Sequence, residues 1–254
     1  MSAQKLGTHE GGANIYGVGI GILSLDSSFA KPPGHVKNAL TFGFPVSYKV
    51  VEGATVKKLL RDPGPDLLEP FLRGVRELER DGVRAVTGSC GFLALYQREL
   101  ADAVDIPVFM SSLVQLPLVQ SQLKRGQKVG VLTASKASLT PAYLEAVGAG
   151  TVPVCIEGMD GSEEFDSVII EAERNRIDFD KLEAEIVSAA ERLVGTHPEV
   201  GALVLECTDM SPFADAIQQR VKMPVFDLVT LTEMVYAAVT RSRHPLFAPP
   251  SRWS

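Results

Sequence analysis

The chain repeats one short pattern around two of its three cysteines. Cys90 and Cys207 each end an apolar run, and each is followed seventeen residues later by the tripeptide Pro-Val-Phe, at 107–109 and at 224–226. Apolar segments that contain glycine also precede both cysteines: Gly21 lies 69 residues before Cys90, and Gly130 lies 77 residues before Cys207. This duplication predicts two similar halves that build one site together. A chance recurrence of short apolar tripeptides is the alternative.

Strand-like and helix-like segments alternate along both halves, which indicates parallel sheets with crossover helices. We predict strands over 15–25, 46–51, 83–87 and 107–110 in the first half, and over 128–133, 152–156, 201–205 and 224–226 in the second. We predict helices over 66–80, 92–104, 113–125, 139–147, 180–195, 212–221 and 230–241. The predicted fold class is α/β, with a mainly parallel four-stranded sheet flanked by helices in each half.

Composition excludes several classes of protein. The net charge is -6, with 25 Lys and Arg against 31 Asp and Glu, which argues against a general binder of nucleic acid or of anionic membranes. The first ten residues lack the apolar core of a signal peptide, and no run approaches the roughly 18 apolar residues of a membrane span. We expect a cytoplasmic protein with reduced thiols and with no nucleic-acid or membrane partner.

Motifs for metal and cofactor chemistry are missing from the sequence. The four histidines are scattered, and neither His-x-x-x-His nor Cys-x-x-Cys spacing occurs. The glycines at 17, 19 and 21 lie in a strand-like run without the third glycine of a dinucleotide turn, and no Gly-x-Ser-x-Gly elbow is present. We therefore expect no metal and no cofactor, and we expect Cys155, which has no counterpart in the first half, to be a core residue.

The two cysteines suit proton transfer. Both follow predicted strands, and ligands of open α/β sheets gather at the carboxyl ends of strands. Cys90 directly precedes a predicted helix, whereas Cys207 lies a short turn before Ser211 and Pro212, which resemble a helix start. A thiolate and a thiol on opposite faces of a carbon remove a proton from one face and return one to the other. Candidate donors to a substrate carboxylate are Ser24, Ser89, Thr133, Ser135, Thr208 and the amides after each cysteine.

These residues resemble the aspartate/glutamate/hydantoin racemase superfamily of cofactor-independent two-cysteine enzymes. The resemblance covers most of the chain and rests on Gly88-Ser89-Cys90-Gly91-Phe92, on Glu206-Cys207-Thr208-Asp209 and on Asp26-Ser27. It implies two pseudo-symmetric lobes with the active site in the cleft between them. The first lobe would hold residues 1–112 plus about 228–254, and the second lobe would hold residues 113–227. The C-terminal residues are assigned to the first lobe because the C-terminal helix of the family often returns to it.

The resemblance also assigns roles to single residues. Cys90 and Cys207 would be the two acid/base residues, Asp26 would assist the first cysteine, and Asp209 would orient or deprotonate the second. It implies a homodimer or higher homo-oligomer. Amino-acid racemases of this group usually carry Asn-Thr after the first cysteine, where this chain has Gly91-Phe92. We therefore expect Gly91 and Phe92 to belong to a rearranged substrate-binding surface.

The resulting prediction is a racemase or epimerase that inverts a carbon next to a carboxylate or a hydantoin-type carbonyl. Decarboxylation or cis-trans isomerisation of a small dicarboxylate, and a non-catalytic sensor of small acids, are the alternatives. The segment 26–45 is a candidate lid, and the role of the acidic segment 157–176 is open. The candidate positive groups for an anionic substrate are Lys31, His35, Lys37, Arg98 and Lys136. Side chains of these types are more often solvated charges on the protein surface.

Overall fold

Two parallel four-stranded sheets form the framework of the computed structural model, which describes residue 8 and residues 11–241. The first sheet has the order β2-β1-β3-β4, from β1 (Ile20–Leu25), β2 (Val46–Val51), β3 (Ala85–Gly88) and β4 (Val108–Phe109). The second has the order β6-β5-β7-β8, from β5 (Lys128–Thr133), β6 (Val154–Gly158), β7 (Val200–Leu205) and β8 (Val225–Phe226). The identical strand orders confirm the predicted α/β class with two sheets.

Helices connect the strands and flank both sheets. Within the described residues they are α1 (Val56–Arg61), α2 (Pro65–Asp81), α3 (Gln97–Ala101), α4 (Leu116–Ser121), α5 (Pro141–Ala146), α6 (Glu163–Phe165), α7 (Phe179–Thr196), α8 (Ala214–Val221) and α9 (Leu228–Val239). Tight 3₁₀ turns span Gly91–Tyr96, Ser112–Gln115 and Thr208–Phe213, and a π turn spans Asp166–Ile170. Of the described helices, none combines the length and the apolar character needed to cross a bilayer.

The long helix α2 shows how local sequence sets an element. Pro65 occupies the first helical turn, where its missing N–H costs nothing. Phe71, Val75 and Leu78 form its buried face. The helix ends at Gly82, whose φ of 100° lies in the left-handed region that glycine adopts readily. The helix therefore ends shortly before β3, the strand that precedes Cys90.

Several predicted bounds were wrong. The helices predicted over 92–104, 113–125 and 212–221 begin as 3₁₀ turns, and the helix start expected at Ser211 lies inside the turn Thr208–Phe213. The strand predicted from 15 starts at Ile20, after Gly17 with a φ of 85°. The helices α1 and α6 were not predicted. Apolar runs of about one turn carry too little periodicity to separate 3₁₀ from α geometry.

The hydrophobic core has two parts. One large cluster extends through both sheets and the helices between them. A smaller cluster covers the other face of the first sheet, where Ile20 and Ile22 of β1 meet Leu228 and Leu231 of α9. The helix α9 therefore packs on the first sheet although it follows the second sheet in sequence. The exact lobe boundaries remain a prediction, and residues 242–254 of the proposed first lobe lie outside the described residues.

Candidate active site

The two cysteines occupy equivalent turns. Cys90 follows β3 and caps the turn Gly91–Tyr96, and Cys207 follows β7 and caps the turn Thr208–Phe213. We call residues 90–96 the Cys90 turn and residues 207–213 the Cys207 turn. Both thiols are buried and line the same cavity. The sheets have the same strand order, so their third strands in sequence end at equivalent places and deliver both thiols there.

Hydrogen bonds and a ring contact connect the two turns to neighbouring elements of the site. The hydroxyl of Thr208 donates to the carbonyl of Ser89 at 2.8 Å, and the hydroxyl of Ser89 accepts from the backbone N–H of Leu25 at 2.9 Å. The ring of Phe92 meets the ring of Tyr143 edge to face, with centroids 5.0 Å apart. The bond between Thr208 and Ser89 therefore links the residue after Cys207 to the residue before Cys90.

The segment 26–45 reaches from the first lobe to the Cys207 turn. Gly34, with a φ of 96°, packs so closely on Pro212 that a Cβ would lie 2.9 Å from the Pro212 Cα. The Nδ1 of His35 accepts from the backbone N–H of Lys37 at 2.9 Å, so its Nε2 carries the hydrogen that faces Asp209 Oδ1 at 3.0 Å. His35 is therefore held in one tautomer and anchors Asp209.

Asp209 keeps the second thiol protonated. Burial is the largest single influence and raises the pKa of Asp209, but the contact with His35, the hydrogen bond from Cys207 and the charge of Lys31 together lower it by more, so this carboxyl group is ionised. The Sγ of Cys207 lies 3.4 Å from Asp209 Oδ2, where the thiol donates to the carboxylate. Burial, followed by the charge of Asp209, raises the pKa of Cys207 well above its usual value. The second cysteine is thus a proton carrier in the resting site.

The first thiol has different neighbours. Burial, followed by the charge of Glu206, raises the pKa of Cys90 well above its usual value, although the backbone N–H of Phe92 and the ammonium of Lys37 act in the opposite direction. The thiolate of Cys90 therefore has two stabilising partners within the site. Cys90 is the better candidate for a base, and Cys207 is the better candidate for an acid.

Two lysines of the segment 26–45 supply positive charge. The ammonium of Lys37 donates to the carbonyl of Leu25 at 2.7 Å and to the hydroxyl of Ser27 at 2.9 Å. Burial, assisted by the charge of Lys31, lowers the pKa of Lys37 to about 8, so it is mostly charged at neutral pH. The ammonium of Lys31 lies 3.7 Å from the centre of the Phe29 ring. Lys37 lines the cysteine cavity, so its charge makes this part of the wall attractive to a carboxylate.

The cysteine cavity is small, with a volume of about 10 Å³, enough for a single water molecule. A larger opening of about 290 Å³ lies next to it, between the segment 26–29 and residues 168–175. Ser27, Phe29 and Val56 line both spaces. A substrate larger than water reaches the thiols only when this shared wall moves. The lid role of 26–45 stays a prediction, and residues 168–175 within the segment 157–176 form the other side of the opening.

The structure brings some predicted site residues to the cavity and not others. Cys90, Cys207, Asp209, Ser89 and Phe92 line it. Gly91 and Thr208 lie in the two turns without lining the cavity. The remaining predicted residues have other partners: Ser24 donates to a backbone carbonyl, Thr133 to Glu206 and Ser135 to Asp160.

Asp26 is also placed differently from the expectation. It is exposed, its carboxylate accepts from the backbone N–H of Gly53 at 3.0 Å, and it lines the larger opening rather than the cysteine cavity. Its own N–H donates to the carbonyl of Ala54, which turns the chain outward after β1. Direct assistance to Cys90 is therefore not expected from Asp26.

Glu206 is the residue of this site that sequence reasoning missed. It is completely buried, and its side chain accepts from Thr133 and from the backbone N–H of Ala134. The signal was an acidic residue at the end of the apolar run 201–205, directly before the second cysteine. The motif alone does not reveal that this carboxyl group is buried, because burial depends on how β7 packs.

A third cysteine lies elsewhere. Cys155 is buried in β6, as expected for a core residue. Its thiol lies 3.5 Å from Glu199 and near His197, at the amino ends of the second sheet, away from the cavity. The same carboxylate of Glu199 pairs with Lys128 at 3.2 Å.

The sequence and the structure both match known proteins. The model of the Asp/Glu/Hydantoin racemase family matches residues 61–233. A dimethylsulfoniopropionate lyase of Durusdinium sp. clade D is 28% identical over 223 residues, which are 85% of this chain and 73% of that protein. Dimethylsulfoniopropionate lyase 3 of Emiliania huxleyi is 30% identical over 230 residues, which are 87% of this chain and 59% of that protein.

Solved structures share the fold at low sequence identity. An arylmalonate decarboxylase matches with a TM-score of 0.57 and 13% identity, over 86% of this chain and 92% of its own. The aspartate racemase of Picrophilus torridus matches with a TM-score of 0.52 and 13% identity, over 87% of this chain and 93% of its own. These likenesses concern the fold alone. Because the family model covers more than half of the sequence, the chain belongs to the Asp/Glu/Hydantoin racemase family.

Proposed function

We propose that this chain catalyses a cofactor-independent β-elimination from a small carboxylate, with dimethylsulfoniopropionate as the representative substrate. The observation that carries the proposal is the presence of two buried thiols, Cys90 and Cys207, on the wall of one cavity that also includes Lys37. A base, a second proton-carrying group and a cation for a carboxylate are thereby available in one enclosed space.

The reaction uses one thiolate as a base. Cys90 takes the proton from the carbon next to the carboxylate, so that an S–H bond forms and a C–H bond breaks. The released electron pair forms the double bond between the α and β carbons. The bond from the β carbon to sulfur breaks, and its electrons leave with neutral dimethyl sulfide. Acrylate is the second product, and neither an oxidant nor a reductant is required.

The rest of the wall suits such a substrate. The ammonium of Lys37 compensates the negative charge that develops at the carboxylate when the α proton is removed. Apolar and aromatic side chains, including Phe29 and Phe92, form the remaining surface and offer contact to methyl groups and to a sulfonium cation. The names of the two similar lyases support the same chemistry. The chain spans 59% of the length of one of them and 73% of the other, so the substrate is part of the proposal.

The direct test is to incubate the purified chain with dimethylsulfoniopropionate. Dimethyl sulfide is measured by headspace gas chromatography, and acrylate by nuclear magnetic resonance. We expect equal amounts of both products, and release at least about 100-fold slower from the Cys90→Ser variant. If the folded wild-type protein forms neither product, dimethylsulfoniopropionate is not its substrate.

The second thiol favours one other candidate function, the racemisation predicted from the sequence. A racemase requires an acid and a base on opposite faces of one carbon, and two cysteines on one cavity provide both groups. Incubation of chiral amino acids, hydantoins and 2-substituted malonates in deuterated solvent separates the two reactions. Racemisation gives deuterium at the α carbon and loss of optical activity without a second product, whereas elimination releases a second product.

A further inference from the structure

Glu206 is a buried carboxyl group that the elimination does not use. Its Oε2 accepts hydrogen bonds from Thr133 Oγ1 at 2.8 Å and from Ala134 N at 3.2 Å. Its Oε1 is also buried, and it has no hydrogen-bond partner among the described residues. A buried carboxylate with one unpartnered oxygen is costly, and a neutral carboxyl group in the same place costs less. The position therefore favours a proton on Glu206.

The unpartnered oxygen faces the Cys90 turn. A Cβ at Gly91 would lie 2.2 Å from Glu206 Oε1 and 2.1 Å from the Glu206 carbonyl oxygen. No side chain fits at position 91 while Glu206 occupies its place. Gly91 directly follows Cys90, so the carboxyl group of Glu206 lies against the backbone that carries the first thiol.

The charge on Glu206 acts on Cys90. Burial raises the pKa of Glu206 to about 7, although the hydrogen bonds from Thr133 and Ala134 lower it. After burial, the charge of Glu206 is the largest influence that raises the pKa of Cys90. Two negative charges so close together in a buried site are unfavourable, so the two groups compete for one charge. The other charged or titratable groups around the pair are Cys207, Asp209, Tyr143 and Lys37.

We propose that Glu206 is a positioning residue that controls the protonation of Cys90: its carboxyl group holds a proton while Cys90 is the thiolate. When Glu206 is ionised, the proton stays on Cys90 and the base is lost. The inference rests on the proposed function only in taking Cys90 as the base, because it concerns the thiol itself and not the identity of the substrate.

The test measures the reactivity of Cys90 directly. The rate of iodoacetamide alkylation is followed between pH 6 and pH 9, and peptide mass spectrometry separates Cys90 from the other two cysteines. The wild-type Glu206 carboxyl group ionises as the pH rises through about 7, whereas Glu206→Gln is neutral throughout. We therefore expect equal rates at pH 6, and alkylation of Cys90 at least about tenfold faster in Glu206→Gln at pH 8, a shift of about one pKa unit.

A matched control and a second variant make the result decisive. Glu199→Gln removes a carboxylate beside Cys155, and it is expected to leave the Cys90 profile unchanged. If Glu206→Gln does not fold, Thr133→Val removes one hydrogen bond that favours the ionised carboxyl group, and it is expected to shift the profile in the same direction. An unchanged Cys90 profile in a folded Glu206→Gln or Thr133→Val protein overturns the proposal, whatever the outcome with dimethylsulfoniopropionate.

Discussion

The Cys90 turn and the Cys207 turn have the same type of secondary structure and different chemical surroundings. Each cysteine follows the third strand of its sheet and caps a six-residue 3₁₀ turn. Each sulfur has a backbone N–H partner in its turn, from Phe92 for Cys90 and from Asp209 for Cys207, but Cys90 also has the ammonium of Lys37 from the segment 26–45. The Cys207 turn carries Asp209, held by His35, within reach of its sulfur. The two sheets therefore place the thiols at equivalent positions, and the neighbouring side chains surround each thiol with different charges.

The strongest test of this difference is to replace each cysteine by serine. Elimination needs one base, so we expect Cys90→Ser to lower kcat/KM at least about 100-fold and Cys207→Ser to lower it about tenfold or less. Product release from dimethylsulfoniopropionate is the measurement, and circular dichroism checks that both variants fold. Equal losses of about 100-fold would contradict a single base and would favour the two-base racemase.

The residue after each cysteine gives a second test, on stability. Gly91→Ala forces a Cβ against the backbone of Glu206, so we expect a loss of about 1–3 kcal/mol in the free energy of unfolding. Thr208→Ala is the matched change in the other turn. It removes the hydrogen bond to Ser89, and we expect a loss of about 1 kcal/mol. Urea denaturation measures both, and a Gly91→Ala protein as stable as the wild type would show that Glu206 does not need this space.

The smallest expected effect concerns Lys37. Its ammonium favours the thiolate of Cys90, and in the proposed function it also binds the carboxylate of the substrate. Its ammonium is protonated below a pKa of about 8 and loses its charge above it, so we expect KM to rise as the pH increases past about 8. Lys37→Arg keeps the positive charge and should move this rise to higher pH. The exposed Lys136→Arg serves as the control. A wild-type KM that stays constant up to pH 9 would remove Lys37 from substrate binding.

Much of the fold was predictable, because the relevant signals are local. Alternating apolar runs place strands such as β2 and β5 at their observed bounds, 46–51 and 128–133. The repeated frame around Cys90 and Cys207 indicated two equivalent sheets. The short turns were not predictable, since six apolar residues such as Gly91–Tyr96 satisfy 3₁₀ and α geometry equally well.

The candidate site was only partly predictable. Both cysteines and Asp209 were identified, since they belong to recognisable motifs. Asp26 also belongs to a motif, yet its exposed carboxylate accepts from the backbone N–H of Gly53 and lines the larger opening rather than the cysteine cavity. His35 was only one of several scattered cations, and its contact with Asp209 spans 174 positions in the sequence. Contacts between residues so far apart in the sequence depend on how the loops pack in the folded protein. The spacing of residues along the chain does not encode that packing.

The sequence by itself determined the two sheets, the pair of thiols at the ends of their third strands and the family of the chain, because periodicity, duplication and motifs are carried by neighbouring residues. The tertiary structure alone decided which groups surround each thiol. The segment 26–45 brings His35 and Lys37 to the cavity, and the space beside Gly91 admits Glu206. The protonation of a buried thiol depends on desolvation and on charges within a few ångströms, and those exist only once distant segments have packed together.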